Sequence, residues 1–276
     1  METTKVFLKN LIDNNLSESN IFKRNILKEY LQVLVLDYLY SHESYNKLIF
    51  YGGSCLKHCF DLPRLSEDLD FVDAKKEIKI KKLCKDLEEF FKKNTDLDLK
   101  TTCQKFRVYL KFPILQELEL ANKSESNFLF LKVEVFQNFN FCQKFKTQTI
   151  PLFKFNKSIL VRSFDLETLM ATKLRAILYR KWEKTNKQEE ALIKVKGRDY
   201  FDLMWYLQKG IQPNIDCVEA RDKQELKNKL LKIVSKIDSQ SIKLDLEALI
   251  KDREFIKKLS GNIKEIITKQ IKIAKW

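Results

Sequence analysis

The sequence predicts an α+β chain, with a mixed sheet flanked by helices over residues 1–158 and an all-helical part over residues 159–276. Three observations predict it. Phe106 to Phe112 (FRVYLKF) alternates apolar and polar residues with period two, as a half-buried strand does. Lys47 to Tyr51 is a short apolar run closed by Gly52-Gly53, after which Ser54 opens a segment of helical spacing. Beyond Asp165, every apolar pattern has helical spacing.

Taken in order, residues 3–18 form a helix with an apolar line through Val6, Leu8, Leu11 and Ile12. Ser19 caps a second, from Asn20 to about Ser41, whose inner side carries Phe22, Ile26, Tyr30, Val33, Leu34 and Tyr40. Its second half is apolar on most faces, interrupted by Gln32 and Asp37. The Lys47 strand follows. Two glycines at its end let backbone approach a phosphate closely, and the free N–H groups of the next helix with the Ser54 hydroxyl can donate to that anion. In Arg64-Leu65-Ser66-Glu67-Asp68-Leu69-Asp70-Phe71, an extended chain puts Asp68 and Asp70 on one face. Neighbouring carboxylates repel unless a hard divalent cation sits between them, and magnesium is the obvious candidate.

Lys75 to Lys93 is a charged amphipathic helix suited to a crossover connection. Asp96 to Lys100 and Phe106 to Phe112 are antiparallel strands, Asn122 to Asn127 is a turn, and Phe128 to Gln137 is a further strand. Glu134 lies in phase with Phe130, Lys132 and Phe136, while Val133 and Val135 point the other way. A carboxylate there is costly unless paired or bound to metal; the alternative is a solvated edge face shared with Lys132. Ile150 to Ser163, broken by Pro151, is irregular and marks the domain boundary.

Asp165 caps the helix LETLMATKLRAILYRK, with a buried stripe at 166, 169, 170, 174, 177 and 178. Lys173 leans toward that stripe, so its ammonium calls for an anion, and Arg180 shares its face. After Gly197, a helix places Asp199, Asp202 and Tyr206 on one side. An Arg198–Asp202 surface pair is the ordinary alternative. Residues 222–276 give two or three lysine-rich amphipathic helices.

At this point the sequence resembles the nucleotidyltransferase toxins of the abortive-infection type (AbiEii and MenT-like), a branch of the DNA-polymerase-β-like superfamily. Their first motif is a Gly-Gly-Ser/Thr turn, a short helix and Arg-x-Ser-x-Asp-x-Asp, matched by Gly52, Gly53, Ser54, Arg64, Ser66, Asp68 and Asp70. The resemblance covers roughly residues 45–205. It implies a polymerase-β-like N-terminal domain with Asp68, Asp70 and Glu134 as ligands of two Mg2+ ions, and an NTP bound by Gly52, Gly53, Ser54, Arg64, Ser66 and Lys173. Lys173-Leu174-Arg175-Ala176 matches a Lys-Leu-x-Ala pattern, and Arg198-Asp199-x-x-Asp202-Leu203 resembles the last motif, which places Asp199 near the chemistry. It further implies an RNA acceptor, the 3′ end of tRNA, and an antitoxin protein encoded nearby. Other readings are transfer to a protein side chain or small molecule, a catalytically inactive RNA- or partner-binding member of the fold, and, more weakly, a metal nuclease.

Composition is compatible with this. A net charge of +14 suggests a polyanionic partner, and the excess leans to the C-terminal half, with +5 over residues 1–159 and +9 over 160–276. No apolar run spans a bilayer and the first residues lack a signal peptide's apolar core, so a cytoplasmic protein is expected, without a membrane partner. The six cysteines form no C-x-x-C pair and read as reduced core residues.

Overall fold

The computed structural model describes residues 3–179, 184–185, 191–193 and 195–275. It divides into two compact units, residues 1–139 with 147–163, and residues 140–146 with 164–276. Arg180 and Lys194 lie outside the described residues.

In the first unit, α1 (Thr4–Asp13) and α2 (Asn20–Ser41) begin at Thr3 and Ser19, whose side chains accept from the N–H groups of Val6 and Phe22. Val6 is on the exposed side of α1, while Leu8 and Ile12 are buried. The mixture of apolar faces on α2 becomes a central helix: Leu27, Leu31 and every residue from Val33 to Leu36 are buried. The chain then runs through β1 (Ile49–Tyr51), α3 (Gly52–Phe60), β2 (Leu69–Val72), α4 (Ile80–Asn94), β3 (Lys100–Gln104), β4 (Arg107–Pro113), β5 (Phe128–Phe136), β6 (Thr147–Lys154) and β7 (Lys157–Phe164). Their order in the sheet is β3-β4-β5-β2-β1-β7-β6.

The sheet is mixed because its connections are of two kinds. β1 and β2 are antiparallel across α3, whereas β2 and β5 are parallel, with α4 and the β3–β4 hairpin between them in sequence. The strand predicted at Asp96 to Lys100 instead starts where that segment ends, at Lys100. Ile150 to Ser163, expected to be irregular, belongs to the β6–β7 hairpin. Pro151 is tolerated because β6 is the edge of the sheet, where a missing N–H breaks no interior ladder. The turn is Phe155-Asn156, both at positive φ (49° and 58°), a hairpin geometry that carries no glycine signal here.

In the second unit, α5 (Leu166–Tyr179) buries Leu169, Met170, Leu174 and Ile177. Two short strands, β8 (Lys184–Thr185) and β9 (Ala191–Ile193), pair antiparallel where only helix was expected; runs this brief leave no readable period. α6 (Gly197–Gln208) packs closely on α8 (Ser239–Leu246): a Cβ on Gly197 would stand 2.7 Å from the Ile242 Cα. α7 (Lys223–Val234), α8 and α9 (Arg253–Ile273) each start at an aspartate, Asp222, Asp238 and Asp252, accepting a backbone N–H at 2.8 Å. Cys142 and Cys217 form a disulfide joining residues 140–146 to the short 3-10 turn Ile215–Cys217, so these two are not reduced core residues. Their separation of 75 residues is why no spacing revealed the pair. Cys55, Cys59, Cys84 and Cys103 are free thiols.

Candidate active site

The site of the first unit is built on the β1–α3–β2 succession. At the end of β1, Gly52 takes φ +80°, a conformation side chains rarely adopt, and the chain turns into α3. Both glycines make room for side chains of the same motif. A Cβ on Gly52 would collide with Asp70 Oδ2, and one on Gly53 would lie 2.6 Å from Arg64 Nη2 and 3.1 Å from Ser66 Oγ. The turn is thus packed under the residues that follow it, a tighter reason for two glycines than phosphate approach alone. Ser54 is fully buried, and its hydroxyl has no hydrogen-bond partner among the described residues. Buried hydroxyls are normally satisfied, so this one points to a missing acceptor or donor.

The loop carrying Arg64 and Ser66 is anchored from below. Arg64, only 2% exposed, donates from Nη1 to the Leu65 carbonyl at 2.8 Å. Gln32, wholly buried in α2, donates to the Ser66 carbonyl at 2.9 Å, and its Oε1 meets His58 Nε2 at 2.9 Å. Burial first, then the Lys154 and Lys57 charges, depress His58 from 6.5 to about 3, so the ring is neutral and donates to Gln32. Neither residue was singled out from sequence. Gln32 had left a signal as a polar interruption in an apolar helix.

The register of β2 against β5 pairs Asp70 with Glu134. Because paired positions of parallel strands share a face, the Asp68–Asp70 side of β2 adjoins the Lys132–Glu134 side of β5. β5 is an interior strand between β4 and β2, so the edge-face alternative for Glu134 does not hold. Lys132 Nζ lies 2.9 Å from Asp68 Oδ2 and 2.9 Å from Glu134 Oε1, and Arg107 Nε lies 2.8 Å from the same Glu134 oxygen. Burial pushes the Glu134 carboxyl up, but the hydrogen bond and charge of Lys132, joined by Arg107, outweigh it and hold the group below the usual carboxylate range. Burial likewise opposes the charge on Lys132, and Asp68 and Glu134 more than restore it, leaving the ammonium above its ordinary value. Among the described residues no group of three ligating side chains stands ready-made for a metal. The Lys132 ammonium sits between two of the three carboxylates expected as ligands, Asp68 and Glu134. Hard oxygen donors on adjoining strands could hold a divalent cation such as magnesium once that ammonium swings aside.

In the second unit, Lys173 Nζ lies 2.7 Å from Asp199 Oδ1 and 2.7 Å from Asp202 Oδ2. The anion its position on α5 called for is a pair of carboxylates on α6, both buried. Arg198 lies against Asp245, to which its backbone N–H donates at 2.8 Å, so it is engaged away from the i+4 pairing considered from sequence. The structure therefore assembles Gly52, Gly53, Ser54, Arg64, Ser66, Asp68, Asp70 and Glu134 in one unit, and Lys173 with Asp199 in the other.

A strand, a Gly-Gly-Ser turn into a helix, and a carboxylate-bearing strand inside a mixed sheet are the parts of a nucleotidyltransferase. The model of one family, described as nucleotidyl transferase AbiEii toxin of a type IV toxin–antitoxin system, matches residues 35–272. The chain belongs to that family and is a nucleotidyltransferase. Two solved structures are similar. The crystal structure of JHP933 from Helicobacter pylori is 18% identical with a TM-score of 0.47, covering 90% of this chain and 93% of its own. A second H. pylori crystal structure, of a candidate nucleotidyltransferase, is 17% identical with a TM-score of 0.45, covering 89% and 95%. No curated protein matches the chain in sequence. No helix among the described residues is long and apolar enough to cross a membrane.

Proposed function

We propose that this enzyme is a magnesium-dependent toxin that transfers nucleotides from an NTP to an RNA acceptor, the 3′ end of tRNA, in the cytoplasm, and that an antitoxin protein restrains it. The observation that carries the chemistry is the in-register pairing of Asp70 with Glu134, taken with the buried, unsatisfied Ser54 hydroxyl of the same unit. Asp68, Asp70 and Glu134 would hold the divalent cation. Bound there, magnesium would neutralise triphosphate charge and favour ionisation of the attacking hydroxyl.

The chain's own groups do the rest. The Ser54 hydroxyl donates to a phosphate oxygen, and the first N–H groups of α3 face the same anion. Arg64, lying against Gly53, adds fixed positive charge, and Ser66 holds the guanidinium's neighbourhood polar. Glu134, kept ionised by Lys132 and Arg107, remains available as an anionic oxygen donor to the cation. The family resemblance assigns Lys173 to the triphosphate and Asp199 to the active site. Within its own unit that Lys173 ammonium is held by both Asp199 and Asp202.

Incubating the protein with an α-labelled NTP, magnesium and total RNA tests this. Label on the 3′ end of tRNA is the expected result. Label on protein or a small molecule would reassign the acceptor, shortened RNA would mean a nuclease, and no label anywhere would defeat the proposal.

A further inference from the structure

The face of the sheet that carries Asp70 and Glu134 continues across β5, β4 and β3, and its side chains are of a particular kind. On β5, Phe128 and Phe130 precede Lys132 and Glu134 in the same phase, and register places Lys111 opposite Phe130 and Tyr109 opposite Lys132. Lys100 in turn lies opposite Lys111. The other face is the buried one: Val108, Leu110 and Phe112 alternate inward, and α4 packs there through Phe91 on Phe112, ring centroids 5.1 Å apart. Phe130 is 44% exposed although it stands in an interior strand. An aromatic ring set among lysines on an open sheet face is costly to hydrate and has no core to fill.

We infer that this face docks the single-stranded end of the RNA acceptor, with bases stacking on Phe130 and Tyr109 and the backbone phosphates meeting Lys111 and Lys100. The inference rests on the proposed transfer to RNA. Three features select this occupant. Aromatic planes interleaved with cations are the combination that unstacked bases and a polyanionic backbone require, whereas an apolar protein surface would leave the lysines desolvated without partners. Lys100 already lies over the Phe128 ring, 5.6 Å from its centroid, so charge and π-face are presented together. Finally, the platform leads to the chemistry: Phe130 and Glu134 are four residues apart on one strand, about 13 Å, so a strand laid along β5 brings its terminus to the carboxylates.

The test measures binding of a short fluorescein-labelled single-stranded RNA by anisotropy, with neither NTP nor divalent cation present, at two salt concentrations. Phe130→Ala should weaken binding about tenfold or more, and Phe130→Tyr, which keeps the ring, should restore most of it. Lys111→Gln should lower the salt slope by about 0.7. Thermal melting confirms that each variant is folded. Unchanged RNA affinity in Phe130→Ala overturns the inference, as does an equal loss on blunt duplex RNA, which offers no free bases to stack. A fall in NTP affinity instead of RNA affinity also overturns it, since the ring would then serve the incoming base. Because binding is read without turnover, the outcomes separate: a protein that labels RNA but ignores Phe130→Ala loses only the docking surface, and one that transfers nothing yet needs Phe130 for RNA loses only the activity.

Discussion

Lys132 is the residue on which the state of the carboxylates depends. Its ammonium makes two charge-assisted contacts at 2.9 Å, to Asp68 and Glu134. The three side chains are 27%, 36% and 18% exposed, between a surface pair and a buried one. Contacts to charged groups contribute about 1.5–3 kcal/mol when desolvated and near zero to 1 at the surface, so about 1 kcal/mol each is reasonable here. Lys132→Met should therefore destabilise the metal-free protein by about 2 kcal/mol and lower its melting temperature by roughly 4–8 °C. If the cation binds where proposed, the same lysine opposes it and must be displaced. Without that competition the variant should bind Mn2+ roughly thirtyfold more tightly, and saturating Mn2+ should raise its melting temperature more than that of the wild type. Calorimetric titration with Mn2+ in the absence of NTP, together with thermal melting, measures both. A variant that is as stable as wild type without metal, or that binds Mn2+ no better, would refute the argument that Lys132 occupies the cation's place.

Asp70→Asn should abolish nucleotide transfer while leaving the melting temperature unchanged or slightly higher, because a proposed metal ligand is lost and a like charge removed; retained transfer to labelled RNA would disprove its role. Gly52→Ala, at φ +80° and under Asp70, should cost about 2 kcal/mol in urea unfolding and weaken Mn2+ binding by displacing that carboxylate, and a loss below about 0.5 kcal/mol would contradict the packed turn. For Lys173→Ala, removal of the ammonium faced by both Asp199 and Asp202 should cost about 3–5 kcal/mol, and a minor loss would mean those carboxylates are well solvated. His58 has a folded value near 3 against 6.5, so the unfolded chain takes up its proton first. Stability from the neutral ring is complete above about pH 6.5 and is lost as pH falls toward about 3, at up to about 1.4 kcal/mol per pH unit. The difference between wild type and His58→Gln in urea melts should show that slope in this window and none above it; parallel curves would show that His58 protonates freely in the folded protein.

What the sequence made legible was whatever rests on local order. The Gly52-Gly53-Ser54 turn, the Asp68–Asp70 alternation and the phase of Glu134 are all set within one or two elements, and strand register then brought them together. Partners that come from elsewhere in the chain were not legible. Arg107 reaches Glu134 only because β4 pairs with β5, and Gln32 supports Ser66 across 34 residues. Lys132 was visible as Glu134's neighbour in phase, yet its bridge to Asp68 depends on which strand lies beside β5. The β6–β7 hairpin was obscured for a different reason: an edge strand can carry Pro151, and a Phe-Asn turn has no glycine to announce it.

The first unit is discontinuous in the chain. Residues 140–146 belong to the other unit, and β7 returns to lie parallel to β1, Phe50 opposite Ser163. During synthesis the sheet therefore waits: by the time Phe139 has emerged, β1 is paired only with β2, and its other side presents open backbone donors and acceptors. Contacts of such long sequence separation form late and slowly. A nascent chain stalled or cleaved near Phe139 would hold the Gly52–Ser54 turn and all three carboxylates on an unfinished sheet, prone to pair with other strands. The Gly52–Asp70 segment is translated early, but its scaffold is completed only when Ser163 has left the ribosome.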